Sequence, residues 1–503
     1  MQITSMPVTV MFVLYILAML AIGWIGYRAT NDLSDYILGG RKLGAFVTAL
    51  AAGASDMSGW LLMGLPGEVY DTGISASWIA IGLIIGAYLN WRYVAARLRV
   101  YTERSGNALT LPDFFSNRFE DKANLLRIVS AVVILVFFTL YCASGVVAGA
   151  RLFESMFGMS YVTALWVGAF CTMAYVFIGG FLAVSWTDTI QASMMFTALV
   201  VAPLMVIYTL GGFGESTQAV ATVNPENLDM FRGMTTISVV SMLAWGLGYF
   251  GQPHILVRFM AAESLHTIPN ARRISMTWMI LCLAGAVAVG FFGIAYFSAN
   301  PGQAAGVTQN SERVFIELSL ILFNPWVAGM LLAAILAAVM STLSAQLLVC
   351  SSSLTQDIYK TFVRRDASQP ELVWFGRGMV LLVALIAIWL AWDPDSRVLQ
   401  MVSYAWAGFG AAFGPVVILS LTWRRMTRNG ALAGMIVGAV TVLVWNHFGW
   451  LGLYEILPGF VLATLAIVVV SRMGPAPSRD VLETFDSVQT DLHSPRVEKA
   501  LRG

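Results

Sequence analysis

The sequence predicts an all-α polytopic membrane protein of about 13 transmembrane helices, on three observations. Hydrophobic residues make up 58% of the 503 and charged residues only 11%, against roughly 25% charged in soluble domains. Apolar windows of about 20 residues, the length that crosses a bilayer, recur along the chain. The basic residues between those windows alternate in density as the positive-inside rule requires.

The windows fall at about 7–27, 44–70, 75–97, 125–155, 160–180, 187–212, 234–252, 274–298, 325–355, 372–393, 398–423, 429–446 and 453–472. An odd count puts the two ends on opposite faces. With the N-terminus outside, 25 of the 29 Lys and Arg lie inside, and only Arg151, Arg232, Arg313 and Arg397 lie outside. A missed or invented helix would scramble that alternation. The start, MQITSM, has no basic stretch, and the run after it is longer than a signal core, so the first window reads as a retained spanning helix. A net charge of +1 leaves no basic surplus for a nucleic-acid partner. Cys142, Cys171, Cys282 and Cys350 show no CxxC or Cys/His spacing and read as small apolar residues, neither a disulfide frame nor a metal site.

The 44–70 window contradicts itself. Its middle reads Gly53-Ala54-Ser55-Asp56-Met57-Ser58-Gly59. A carboxylate at the centre of a membrane helix costs roughly 2.5–3.5 kcal/mol on insertion scales, so Asp56 belongs in a protein-lined polar place. The flanking glycines make helical backbone easy to give up. Broken helices are tolerated at membrane depth only where the freed carbonyls line a cavity or bind something. Two readings fit: a discontinuous helix offering oxygens to a cation and a small polar solute, or a kinked helix whose Asp56 bonds a neighbour.

A second interrupted stretch covers 234–258, where Gly246, Gly248 and Gly251 precede Gln252-Pro253 and the proline deprives a carbonyl of its amide partner. Its start lies five windows after that of 44–70, so the two cross in opposite senses. Paired Gly/Pro-interrupted helices in two halves point to an inverted-repeat carrier with its site at the midplane. In the stretch 331–346, Ala338, Ser341 and Thr342 stand at i, i+3 and i+4 and share a face. That carbonyl and two hydroxyls, with the carbonyls of Ala54 and Met57, make a mostly neutral cage for a hard monovalent cation. The alternative is that the hydroxyls bond back to their own helix. The loop at 98–124 predicts a short helix after Leu111-Pro112-Asp113. The polar stretch 473–503 reads as a largely disordered tail, and Trp445, Trp450 and Tyr454 read as interfacial anchors.

Residues 179–191, GGFLAVSWTDTIQ, resemble the signature of the sodium/solute symporter family at the inner start of its sixth helix. ASDMSGW (54–60), YCASG (141–145), GLGYFGQPHI (246–255) and AAVMSTLSAQLLVCSS (337–352) are similar to that family's bacterial proline carriers, over about residues 6–472. The resemblance implies a LeuT-type core of five plus five inverted helices, at 44–212 and 213–423. An extra helix and first inner loop (1–43) precede it, and two C-terminal helices (424–472) and a cytoplasmic tail (473–503) follow. It implies sodium-coupled import of L-proline by alternating access across the bacterial inner membrane. On matching positions, sodium is expected at the carbonyls of Ala54, Met57 and Ala338 and the hydroxyls of Ser341 and Thr342, with Asp56 organising the region. Proline is expected against Ser58, Trp60, Gly64, Tyr141, Trp245, Tyr249 and Pro253, while Arg41 and Asp188 match positions tied to ion release and the inward gate. One departure is Ala345, where the bacterial proline carriers tend to have cysteine; it supplies none of these ligands.

The chain has no HExxH, no nucleophile elbow and no paired intramembrane acids, so no enzyme and no cofactor beyond the coupling ion is expected. A non-transporting sensor on the same core would need a signalling domain, which a tail of about thirty residues cannot fold into. Another small solute, a different amino acid or a vitamin, is the alternative cargo. The expected partners are L-proline, sodium and the lipid bilayer, with no obligatory protein partner.

Overall fold

The computed structural model describes residues 6–30 and 32–493. Among them, ten helices are long and apolar enough to cross a membrane, and shorter apolar helices lie at Ala45–Asp56, Tyr161–Met173 and Thr236–Gly251. They fall on the apolar windows read from the sequence. No strand is present among the described residues, only an isolated bridge between Leu43 and Ala262.

The Pro325–Ser352 helix is the axis of the bundle: 89% of the apolar 18-residue window in the Pro325–Val363 span is buried, against 28% for that of Arg428–Phe448 and 33% for that of Ile456–Met473 at the periphery. Asn324 caps it by accepting from the Trp326 and Val327 amides, and Pro325 opens it where a missing amide costs nothing. Alanines and serines dominate its surface, so neighbouring backbones approach closely.

The first broken helix runs Ala45–Asp56, loses helical geometry at Met57 (φ −80°, ψ 86°), and resumes through Trp60–Gly64 into Leu65–Thr72. The break therefore sits between the two glycines and not on them. Gly53 lies within the first half, where a Cβ would meet the Trp278 ring at 2.7 Å; a Cβ on Gly59 would meet Ala148 at 2.7 Å. Their role is close packing, which corrects the expectation that they loosen the backbone.

The second broken helix runs Thr236–Leu243, tightens to a 3₁₀ stretch at Ala244–Gly251, turns extended at Gln252 and restarts with Pro253–Ala261. Pro253 has no amide for the carbonyl four residues back, that of Tyr249. The Asn90 side chain donates to it instead, at 2.9 Å. Asn90→Leu is expected to leave this carbonyl buried and unpaired at a cost of about 1–3 kcal/mol, read as a lower thermal-unfolding midpoint in detergent. An unchanged midpoint would contradict the assignment.

Within Tyr161–Thr209, Gly180 adopts φ 65°, ψ −168°, a conformation open to glycine but not to L side chains, and it divides the segment at the start of the signature sequence. The predicted loop helix is present as Leu111–Arg118, capped by the Thr110 hydroxyl, which accepts from the Asp113 amide. The disordered-tail expectation is corrected over Arg479–His493, which is helical. Its buried Val481, Phe485, Val488 and Leu492 share one face. Arg424–Asp486 and Arg104–Asp491 ion pairs at 2.8 and 2.7 Å fasten its polar side. Mean polarity hid that stripe, which needs no core of its own because the bundle supplies the groove.

Candidate functional site

The two breaks and the central helix meet. Ser341 Oγ stands 2.7 Å from the Ala54 carbonyl and 3.0 Å from its own helix's Ala338 carbonyl, and Thr342 Oγ1 lies 3.3 Å from Ala54 O. Four of the five oxygens expected around a cation are thus joined in a chain of three contacts. Ser341 bonds back to its own helix, as the back-bonding alternative has it, and the same proton also faces the Ala54 carbonyl. All of Ala54, Met57, Ala338, Ser341 and Thr342 are buried. Met57 is the residue at the break, and its amide still bonds back to Gly53 O at 2.9 Å.

Asp56 is the last residue of the first half-helix, and its carboxylate is bonded to neither hydroxyl. Its Oδ2 accepts from the Tyr249 hydroxyl on the second broken helix, and its buried Oδ1 has no hydrogen-bond partner. The carboxylate therefore links the two interrupted helices. Its backbone carbonyl accepts from Trp60 Nε1 at 3.4 Å.

Around this link the aromatic residues assemble. The Tyr141 hydroxyl lies against Ser58 and Trp60. The Tyr249 ring meets Trp406 edge-on, with centroids 5.1 Å apart, and Trp406 Nε1 donates to the Trp245 carbonyl at 2.7 Å. Trp245 is braced by Tyr454 at 5.5 Å, whose hydroxyl donates to Ser403 O; Tyr454 is therefore a wall of the cluster and not a simple interfacial anchor. Gly64 packs by Trp60 and Leu399, where a Cβ would come within 3.4 and 3.2 Å. Ser58, Trp60, Gly64, Tyr141, Trp245 and Tyr249 thus gather near the Asp56–Tyr249 link. Pro253 differs: it lines a separate cavity toward the arginine-rich face, together with Arg258 and Ala345.

On that arginine-rich face the two broken helices are stitched together. The Leu43 amide donates to Ala261 O and the Glu263 amide to Leu43 O, at 3.2 and 3.0 Å. Arg41 donates to Met260 O (2.6 Å), Ala108 O (2.8 Å), Asn107 Oδ1 (2.9 Å) and Thr102 Oγ1 (3.2 Å), so one guanidinium joins three segments. Asp188 pairs with Arg258 at 2.9 Å, with both side chains buried and the guanidinium 4.5 Å from the centre of the Phe181 ring. Sequence reasoning counted Arg258 only among the inward-facing cations, at the end of the 234–258 stretch; its place inside the half-helix that Pro253 opens was the available signal. On the opposite face, Glu312 accepts from the Val398 and Leu399 amides at 3.3 and 3.2 Å, and Ser311 donates to Asp71 at 2.6 Å. Burial pushes the Glu312 carboxyl up, and those two amides hold it back.

This arrangement suits binding more than bond-breaking. Converging neutral oxygens at a helix break fit a hard monovalent ion, and a buried aromatic wall beside a carboxylate fits a small zwitterion. Among the described residues, no group of three or more His, Cys, Asp or Glu is placed to hold a metal.

Comparison with known proteins agrees. The profile of the Sodium:solute symporter family matches residues 36–438. A sodium/proline symporter of Salmonella typhimurium is 67% identical over 97% of this chain and 98% of its own. A high-affinity proline transporter of Bacillus subtilis is 53% identical over 94% of this chain and all of its own. Among solved structures, a Na+-coupled sialic acid symporter in a substrate-bound, outward-open state superposes with a TM-score of 0.80 at 17% identity, covering 95% of this chain and 100% of that one. A nucleobase-cation-symport-1 family transporter in a closed conformation gives 0.55 at 13% identity, over 91% and 99%. At these identities the solved structures speak to fold alone, and the fold is the LeuT-type one.

Proposed function

The chain belongs to the sodium:solute symporter family, and on that premise we propose that it imports L-proline by alternating access, coupled to sodium. What carries the reading is the meeting of the Ala54 carbonyl with the Ser341 hydroxyl across the bundle, in a chain 67% identical to a sodium/proline symporter. It is a multi-pass membrane transporter and not an enzyme. Its arginine-rich face is cytoplasmic, its N-terminus is outside and its C-terminus is inside, on the distribution of Lys and Arg. The helices at 44–212 and 213–423 are the two inverted repeats.

Sodium enters among the carbonyls of Ala54, Met57 and Ala338 and the hydroxyls of Ser341 and Thr342. A cation wants lone pairs, so the hydroxyl protons turn away from Ala54 O and Ala338 O, and hydrogen bonds give way to coordination. That fixes the end of the first half-helix, where Asp56 begins its link to Tyr249. Tyr249 stands in the wall that receives proline, so ion occupancy orders the solute site. The amino end of the half-helix at Gly59 offers a positive dipole end to the proline carboxylate, while Pro253 lines the cavity through which the solute would leave toward the arginine-rich face. Trp60, Tyr141 and Trp245 cover the ring, beside Ser58 and Gly64. Arg41 and the Asp188–Arg258 pair hold the cytoplasmic side shut until the loaded carrier turns inward, and their opening lets the ion leave.

Tyr249→Phe removes one charge-assisted hydrogen bond, about 1.5–3 kcal/mol. Apparent proline affinity is expected to fall at least tenfold and to depend less steeply on sodium; wild-type sodium dependence would contradict the link. The reading as a whole is tested by uptake of radiolabelled proline into proteoliposomes. An inward sodium gradient should drive accumulation, and unlabelled proline should compete better than other amino acids or vitamins. A different best competitor would replace proline as cargo, and accumulation indifferent to sodium would remove the coupling.

A further inference from the structure

We propose that the arginine-rich face carries a binding site for the phosphate group of an anionic membrane phospholipid, formed by Arg92, Arg97 and Arg272. A groove lies between the Asn90–Ala95 turn with its Ala96–Arg104 continuation and the start of the Thr267–Ala299 helix. These three arginines line it beside Trp91, and Leu492 and His493 of the tail helix close one end.

The charge balance of the groove calls for an anion. No Asp or Glu lines it. Arg99, Arg104, Arg127, Arg258, Arg424 and Arg428 all reach a carboxylate within 4 Å, whereas Arg92, Arg97 and Arg272 enter no ion pair among the described residues. Burial is the largest influence on Arg97 and Arg272; the cation beside Arg97 is Arg92, those beside Arg272 are Arg92 and Arg273, and the other side chains acting on them are the tyrosines Tyr93 and Tyr88, which carry no charge at neutral pH. Arg97 also donates to the Tyr93 carbonyl at 2.9 Å. Guanidiniums held together without a counter-charge repel one another. A phosphate accepting forked hydrogen bonds from them reverses the sign of that interaction.

The surroundings select a lipid as the source of the phosphate. Ile85 and Tyr88, 51% and 47% exposed, rise from Arg92 at helical spacing, and Ile280 and Leu281, both 44% exposed, lie farther along the facing helix. An acyl chain has an apolar wall to follow from the headgroup, and a water-soluble anion has no use for one. Tyr93, 53% exposed beside the Arg92 guanidinium, is an aromatic of the kind that anchors at bilayer interfaces. Basic pockets between helices on the cytoplasmic side, facing an anionic leaflet, recognise headgroups in this way. Because Leu492 and His493 complete the groove, an occupied site also holds down the end of the tail helix.

The test uses the purified full-length chain in neutral detergent, titrated separately with phosphatidylglycerol, phosphatidylcholine and inorganic phosphate. Phosphatidylglycerol is expected to raise the thermal-unfolding midpoint saturably and to stay bound in native mass spectra; the other two are expected to do neither. Replacing Arg92, Arg97 and Arg272 by Gln together should cut lipid retention at least tenfold. Replacing Lys122, Lys360 and Arg365 by Gln together, three cations elsewhere on that face, should leave it intact. Equal stabilisation by phosphatidylcholine would overturn headgroup recognition. An equal effect of inorganic phosphate would make this a soluble-anion site, and equal losses in both triple variants would reduce it to bulk charge. If the Arg92, Arg97 and Arg272 variant does not fold, the three titrations of the unaltered chain decide the matter alone.

Discussion

Ser341→Ala combined with Thr342→Ala is expected to raise the sodium concentration for half-maximal proline uptake about 100-fold. The order in which other solutes compete should not change. Both hydroxyls meet the Ala54 carbonyl at the helix break, at 2.7 and 3.3 Å. Each is a dipole at the proposed ion position, and interactions of this charge-assisted kind contribute about 1.5–3 kcal/mol. Two lost at the lower figure give about 3 kcal/mol, or two decades. Selectivity should stay because the residues proposed to contact the solute, Trp60, Tyr141, Trp245 and Tyr249, gather near the Asp56–Tyr249 link, and neither hydroxyl is among them. The comparison is made in proteoliposomes at varied external sodium. Unchanged sodium activation would remove these hydroxyls from the ion's path.

The second large effect is expected at the Asp188–Arg258 pair, whose side chains are 0% and 1% exposed. Removing one partner of a buried ion pair strands the other's charge, at about 3–5 kcal/mol. Arg258→Met alone should therefore lower the unfolding midpoint sharply. Asp188→Leu with Arg258→Met should restore much of it, because apolar residues need no partner. The double variant should not restore gating. An Ala345→Cys reporter in the cavity that Arg258 lines should react faster with a membrane-impermeant thiol reagent applied from the cytoplasmic side. If the double variant is stable and the reporter reacts no faster than in the unaltered pair, the pair is structural only.

The residues that misled and those that informed differ in one respect: whether their partner is close in sequence or implied by type. A carboxylate inside an apolar run has few places to be, so Asp56 located the first break to within two residues. Hydroxyls at i and i+1 with a small residue at i−3 fixed the face of the central helix. Local pattern could not say where Asp56 would point, because Tyr249 lies 193 residues away. Nor could it find Asn90, which satisfies the carbonyl that Pro253 frees from 159 residues upstream of it. Arg258 read only as one more inward-facing cation because hydropathy windows end at charges, and a buried ion pair needs both members in view. Tyr454 and the Arg479–His493 helix share that cause: each is stabilised by a surface assembled from distant chain. Gly53 and Gly59 drew the eye to the right segment for the wrong reason, since small residues serve packing as often as flexibility.

Ion and solute are proposed to communicate through the Ala54–Asp56–Tyr249 path. Its most direct test is a paired equilibrium titration on the purified protein: radiolabelled proline at varied sodium, and radiolabelled sodium at varied proline. Linkage requires the two coupling factors to be equal. The predicted result is one shared factor, well above unity in the unaltered chain and close to unity in Tyr249→Phe. Proline binding of equal strength with and without sodium, in the unaltered chain, would contradict it.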